Sequence, residues 1–261
     1  MNVLFVPTLG LDLSLLERLA ASVDYPIRSK VVFNNGEPGA CDSFRDTHDD
    51  WQVKESAFGN LGVAGSWNQC AKMFPEEESW LIINEDAYFL PGCLEKIAKC
   101  AREWVGGCDS SKCPQPIIFL NDSNPFYAFV WTQRGKLEIG EFDENFWPAY
   151  YEDCDYKIRL KSKGYNGYVY ALQGDLPLPH GKPKTGGMNY NAMLQGCGLL
   201  NRAYWQRKWG NQDFHGEPKY ETPYKDHRLT VDQWVWRPDD REVRRKIYDA
   251  WMSLPNPSIY E

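Results

Sequence analysis

Apolar positions along the chain alternate between two spacings. Val3 to Val6 is a short continuous apolar run ended by Pro7, Thr8 and Gly10, the pattern of a buried strand entering a loop. Leu13, Leu15, Leu16, Leu19, Ala20 and Val23 then follow helical spacing, with Asp12 or Ser14 able to cap the start. Lys30 to Phe33 forms a second strand, stopped by Asn34-Asn35-Gly36, and strand, helix, strand opens a parallel sheet. A third strand is expected at Trp51 to Val53, and a helix from about Ala64 to Met73 after Asn60-Leu61-Gly62. Trp80-Leu81-Ile82-Ile83 is the strongest strand signal and ends abruptly in Asn84-Glu85-Asp86. Pro91 is expected to open a helix in its first turn, carrying Leu94, Ile97, Ala98 and Ala101 on one face. Ile117 to Leu120 and Tyr127 to Trp131 read as strands, Glu152 to Lys163 as a helix closed by Gly164, and Tyr168 to Leu172 as a strand. From Pro177 onward the chain is loop-rich, with helices expected near Arg202 to Lys208 and Asp239 to Met252. No internal repeat or low-complexity linker marks a second domain.

Composition narrows the function classes. A chain of 261 residues with 43% hydrophobic content can bury one large core. A net charge of -7 argues against a nucleic-acid surface, which needs clustered Lys and Arg. The start Met1-Asn2-Val3-Leu4-Phe5-Val6-Pro7 lacks the features of a signal peptide, and no stretch approaches the roughly 20 apolar residues of a membrane span. A cytoplasmic protein with no membrane span is the expectation, with its eight cysteines reduced. Cys93, Cys100, Cys108 and Cys113 lie near one another but lack the paired C-x₂-C spacing of a zinc knuckle.

The polar exit of the strongest strand is where an open α/β sheet places ligands. A nucleoside diphosphate concentrates negative charge, and a hard divalent cation held by oxygen ligands can bridge it to protein. Asp86 is the carboxylate suited to that task. Asn84 offers a neutral amide oxygen for the metal, a metal-bound water or a ribose. A polar strand end with a capping Asp accounts for the same residues without a ligand.

Asn84-Glu85-Asp86 resembles the metal-binding DxD motif of GT-A glycosyltransferases, especially family 2. A second constellation, Phe142-Asp143-Glu144-Asn145-Phe146 followed by Tyr150-Tyr151-Glu152-Asp153-Cys154-Asp155 and ending Lys163-Gly164-Tyr165, resembles the family's F-D-E-x-F segment and its acidic helix start. Glu152, Asp153 and Asp155 crowd a helix N-terminus, where the macrodipole stabilises carboxylates, so a structural role is available beside a catalytic one. The resemblance assigns the general base to Asp153, with Glu152 beside it. One base without a covalent nucleophile implies a single in-line displacement and inversion at the anomeric carbon. The family's late loop His falls on His180, a third metal ligand beside Asp86 and Asn84, with Lys182 and Lys184 as phosphate contacts.

The same resemblance places the nucleotide-sugar donor against Pro7, Thr8 and Leu9, Asn34 and Asn35, and the Asn60 to Asn68 segment, with Asn84 and Glu85 also on the donor. That segment is similar to the family's N-x-G-x-A-G/A-x-N loop. Gly62 and Gly65 let backbone approach a nucleotide, and turn or cap roles explain them as well. Trp147, Tyr150 and Tyr151 flank the expected base and suit an acceptor's sugar faces, although most of the eleven Trp and fifteen Tyr belong to core packing. Asn201 to Gly210 resembles the family's Y-x-x-K-W-G helix end, a structural feature.

The resemblance covers residues 3 to 210. It implies a GT-A (Rossmann-like) mostly parallel sheet flanked by helices; residues 211-261, which it does not cover, are expected to form a loop-rich C-terminal extension packed on the same domain. The implied activity is inverting, Mn2+- or Mg2+-assisted transfer of a sugar from a nucleoside-diphosphate-sugar to a glycan hydroxyl, and family members with this 143–164 pattern often transfer deoxysugars such as rhamnose. The Arg237 to Arg245 charge run reads as a solvated helix face. Two other readings stand: a sugar-nucleotide-forming nucleotidyltransferase, for which no Gly-rich triphosphate loop is present, and a catalytically decayed carbohydrate-binding module on the same scaffold.

Overall fold

The computed structural model describes residues 1–57, 59–105, 115–120, 125–165, 198, 201–202, 204–206, 208–210 and 218–221. Their elements run β1 Val3–Thr8, α1 Leu13–Ala21, β2 Ser29–Asn34, α2 Asp42–Thr47, β3 Gln52–Glu55, α3 Gly62–Met73, β4 Ser79–Ile83, α4 Cys93–Val105, β5 Ile117–Phe119, β6 Ala128–Thr132, α5 Gln133–Glu138 and α6 Glu152–Ser162. Two compact units divide the chain: residues 1–60, 66–141 and 165–184 form the first, and residues 61–65, 142–164 and 185–261 the second.

The first unit is built on a six-stranded sheet of order β3-β2-β1-β4-β6-β5. β1 is parallel to β2 from Val3 opposite Ser29 to Thr8 opposite Asn34, and parallel to β4 through Leu4 and Leu81. β2 pairs parallel with β3, while β6 runs antiparallel to both β4 and β5. Strands covered on both faces must be apolar at nearly every position. Val3 to Val6, Val31 to Phe33 and Trp80 to Ile83 meet that condition and are buried throughout. Leu16 and Leu19 of α1 and Leu94 and Ile97 of α4 pack into the same core as Leu4, Val6 and Leu81.

One local expectation changes, and two short helices join the expected elements. Pro91 does not open α4, because Gly92 follows with φ of +76° and the helix begins at Cys93. The Gly92 N–H donates to Asp24 Oδ2 at 2.6 Å, so the approach to the helix is fixed by a distant carboxylate. α2 and α5, six residues each, carry too few positions to show a helical period. α2 is held by buried Phe44, and α5 by Thr132, whose hydroxyl accepts from Gly135 N at 3.1 Å. The strand expected at 168–172 and the helix at 239–252 lie outside the described residues. No helix among the described residues is long and apolar enough to cross a membrane.

The second unit gathers Phe146, Tyr151, Tyr204, Trp205 and Trp209 into an aromatic core, with Cys154 and Ile158 against it. A charged network is buried beside these rings. Lys208, 0% exposed, donates from Nζ to Asp143 Oδ2 at 2.7 Å and also meets Asp155 Oδ1. Asp155 accepts from Trp209 Nε1 at 2.9 Å and from Arg159 Nε at 2.8 Å. Tyr204 and Asn145 complete the shell of Asp143. Burial alone would raise the Asp143 carboxyl, but Lys208 and the surrounding donors hold it below the ordinary range. The late Lys-Trp-Gly segment is therefore structural, as the sequence suggests, and Asp155 is committed to the same network.

Candidate active site

In the first unit the site candidates collect at the carboxyl ends of the parallel strands. Strand order reverses between β1 and β4, the switch point at which an open sheet leaves a crevice for ligands. Backbone bonds tie the loops there: Asn35 N donates to Thr8 O at 2.8 Å and Ser56 N to Asn34 O at 3.1 Å. Thr8 gives its hydroxyl to Glu85, and Gly10 N donates to that hydroxyl at 2.8 Å. Burial pushes the Glu85 carboxyl up to about 7 against the lowering bond from Thr8, with Asp86 and Asp12 adding to the rise.

The amide of Asn34 is engaged within its own loop, donating to Glu37 O at 2.8 Å and accepting from Gly36 N at 3.0 Å. Asn35 donates instead to Asn60 Oδ1 at 2.9 Å, joining two expected donor contacts. Asn68 is buried, while Pro7 and Leu9 are half-buried. Three contributors lack a recognisable signal in the sequence. A Cβ on Gly36 would lie 2.1 Å from Leu9 O, so only glycine lets the β1 and β2 exit loops touch. Glu55 receives Gly39 N at 2.8 Å. Arg18 donates to the Asp86 carbonyl at 2.9 Å and lies 4.6 Å over the Tyr88 ring.

At the β4 exit, Asn84 N is fixed by Tyr127 O at 2.8 Å and Asp86 is only 7% exposed. Among the described residues no three His, Cys, Asp or Glu side chains form a metal cage. Asn84 and Asp86 bring hard oxygen donors, as Mg2+ or Mn2+ requires, and such an ion takes one or two carboxylates together with substrate phosphates. That donor set fits an ion shared with a diphosphate rather than one enclosed by protein. His180, Lys182 and Lys184 lie outside the described residues, as do Cys108 and Cys113. Cys41, Cys70, Cys93 and Cys154 are free thiols.

The second unit holds the acidic helix start. Tyr150 and Tyr151 both adopt left-handed backbone, with φ of 76° and 77°. This conformation costs an L-residue on the order of 1–2 kcal/mol, so the pair stores about twice that. Asn201, 0% exposed, donates from Nδ2 to Ala149 O at 2.6 Å and Tyr150 O at 3.1 Å, bracketing the first strained residue. Tyr151 is the α6 N-cap, and its carbonyl accepts from Asp155 N at 2.9 Å.

Immediately after the turn, Glu152 is buried, and its Oε2 has no hydrogen-bond partner among the described residues. Burial, then the adjacent Asp153 charge, drive its carboxyl well above the ordinary range. Asp153 is different. Its side chain is 27% exposed and lies 3.6 Å from Lys157 Nζ, one turn along α6. The helix start thus pairs a buried acid with a solvent-reached carboxylate. Tyr150 is 43% exposed, whereas the Tyr151 ring packs 5.5 Å from that of Trp205 in the aromatic core. Trp147 is half-buried.

Gly62 and Gly65 belong to this unit and show what they accommodate. Gly62 has φ of +75°, and a Cβ there would lie 2.8 Å from Pro148 O and from Trp147 Cδ1. Val63 N donates to Pro148 O at 2.7 Å. The glycine turn therefore admits the Trp147-Pro148 segment and commits one of the amides at the α3 start. A Cβ on Gly65 would meet Leu61 Cβ at 2.9 Å.

A four-stranded parallel set with one antiparallel strand inserted before the far edge defines the class: this is the GT-A fold. The mannosyltransferase PcManGT from Pyrobaculum calidifontis, in complex with GDP-Man and Mn2+, matches with a TM-score of 0.52, covering 95% of this chain and 74% of that one at 15% identity. S. aureus TarS aligns over 62% of this chain and 56% of its own, with a TM-score of 0.45 and 16% identity. In sequence, the chain is 29% identical over 125 residues to a galactofuranosyl glycosyltransferase of Leishmania donovani. That match covers 47% of this chain and 26% of the relative, so it spans about a quarter of that protein's length. No family model matches.

Proposed function

We propose that the protein is an inverting glycosyltransferase that moves a sugar from a nucleoside-diphosphate-sugar donor to an acceptor hydroxyl on a glycan. The observation that carries this reading is the α6 start, where Asp153 stands partly exposed after a strained turn and beside buried Glu152. The GT-A fold and the partial likeness to a galactofuranosyl glycosyltransferase support it.

In this reading Asp153 accepts the proton of the acceptor hydroxyl as its oxygen bonds to the anomeric carbon. The bond from that carbon to the diphosphate breaks, its electron pair leaving with the nucleotide. A positioned base contributes roughly 10²–10⁴-fold in rate. Glu152, whose burial favours the neutral form of its carboxyl, hydrogen-bonds the acceptor, and Trp147 and Tyr150 supply sugar-stacking faces. Pro7, Thr8, Leu9, Asn35 and Asn60 border the donor. Asp86 and Asn84, with His180, would hold a divalent ion, which supplies neutralising charge for the departing diphosphate. Lys182 and Lys184 contribute to the same end.

The test is nucleotide release from a panel of UDP-, GDP- and dTDP-sugars with Mn2+, with and without EDTA, across glycan acceptors. Asp153→Asn is expected to retain donor binding by calorimetry and to lose turnover by roughly 10²-fold or more. A folded Asp153→Asn enzyme with wild-type turnover removes the base assignment. Donor binding without nucleotide release on any pair would favour a binding module.

A further inference from the structure

We propose that Asn201 is a positioning residue that sets the direction of the Asp153 carboxylate by clamping the left-handed turn before α6. The inference rests on the transferase reading for its kinetic consequence, but its structural content stands apart from any activity.

A carboxamide nitrogen carries two N–H donors. In Asn201 that nitrogen reaches two successive carbonyls, Ala149 O at 2.6 Å and Tyr150 O at 3.1 Å. The peptide groups flanking Tyr150 are thereby tied to one atom. The side chain is wholly buried, so water does not replace these bonds in the folded protein. The conformation it holds is one that tyrosine disfavours: φ is 76° at Tyr150 and 77° at Tyr151. Such a turn persists only where its surroundings over-determine it. Packing secures the second residue, since Tyr151 is 6% exposed and its ring lies against Phe146 and Trp205. Tyr150 is 43% exposed and no aromatic ring packs on it among the described residues, so its backbone depends on the Asn201 bonds.

The turn matters because it leads directly into the acidic helix start. Tyr151 is the N-cap of α6, without a side-chain capping bond, and its carbonyl accepts the Asp155 N–H at 2.9 Å. Glu152 and Asp153 are the first two residues of that helix, so rotation of the Tyr150 peptide re-aims both carboxylates. The two asparagine bonds cross 52 and 51 positions of sequence, which is why no local motif announces them.

Asn201→Ala removes both donors, and Asn201→Asp keeps the size while presenting acceptors to two carbonyls. Hydrogen exchange should show faster exchange at the Asp155 amide in both variants, by about tenfold for each ordinary bond's worth of stability lost. The double variant Tyr150→Gly, Asn201→Ala should recover protection at Asp155, because glycine takes a positive φ without strain. It also guards against Asn201→Ala failing to fold. In the active enzyme, kcat should fall by about 10²-fold with the donor KM held within about twofold, the sign of a misplaced group. Unchanged exchange at Asp155, or loss of protection spread evenly over the unit, overturns the proposal. A kcat unaltered per folded molecule overturns it as well. If wild-type enzyme transfers no sugar, the transferase reading fails while the exchange data still decide the clamp.

Discussion

Replacing Lys208 by Met tests the buried charge network directly. The side chains of Lys208, Asp143 and Asp155 are 0%, 4% and 0% exposed, and Arg159 is the second cation of the set. Methionine keeps the length of the stem and its contact with Phe146, Tyr204 and Trp209, so little packing is lost. The cation–π contribution removed is about 0.5–2 kcal/mol. The charge effect is larger: two buried carboxylates are left with one cation, and stranding a buried ion costs about 3–5 kcal/mol. For a protein of this size that corresponds to a fall in Tm of about 6–20 °C. Thermal unfolding followed by near-ultraviolet circular dichroism, to which Trp205 and Trp209 contribute, reads the change.

The sign of its pH dependence follows from Asp143. With Lys208 present, the folded-state carboxyl lies below its ordinary value, so its stabilisation is full above the unfolded value of about 3.9 and is lost as pH falls through the lower folded value. Without Lys208, burial dominates and the carboxyl rises, so the penalty is greatest near neutrality and fades on acidification through the raised value. Asp143→Asn in the Lys208→Met background should restore most of the charge-related loss, because Arg159 still pairs with Asp155 and the one stranded carboxylate disappears. A Tm for Lys208→Met within about 2 °C of wild type, or a double variant no more stable than the single one, contradicts this account of the network.

Gly36→Ala should destabilise by about 1–3 kcal/mol and weaken donor binding, since the new Cβ would lie 2.1 Å from the Leu9 carbonyl and the exit loops must separate; chemical denaturation and donor titration check both. Glu152→Gln should stabilise the protein at neutral pH. The folded carboxyl titrates well above its ordinary value, so wild type loses stability as pH rises from about 4.3 toward that raised value, and a gap that fails to open over this range contradicts the burial argument. Asp86→Ala should abolish Mn2+ binding in the presence of nucleoside diphosphate by calorimetry; undiminished binding places the ion elsewhere.

The order of β1, α1, β2 and β4 was legible because strands buried on both faces must be apolar without interruption. The periodicity of α1 was similarly plain. The helix start at Glu152 was legible from its acidic first turn and from Gly164, whose φ of +83° matches a helix end. Short helices such as α2 offered no period to read, and Pro91 misled because its neighbour Gly92 takes a left-handed conformation.

The same division runs through the candidate site. Residue chemistry and the family resemblance nominated the strand-exit acids and the Glu152-Asp153 pair as candidates, since chemistry limits which side chains can bind an ion or accept a proton. What each acid does in the fold depended on partners far along the chain. Asp155, adjacent in type and position to Asp153, is consumed by Arg159, Trp209 and Lys208. Tyr151, indistinguishable from Tyr150 in the sequence, has its ring in the aromatic core while Tyr150 faces solvent. Lys208 reaches Asp143 across 65 positions, and Asn201 reaches Ala149 across 52. Local pattern determined which elements form, because propensity and periodicity act over a few residues. Burial and long-range pairing determined which carboxylate is neutralised, which is orphaned and which remains open to solvent, because desolvation exists only once distant segments have packed.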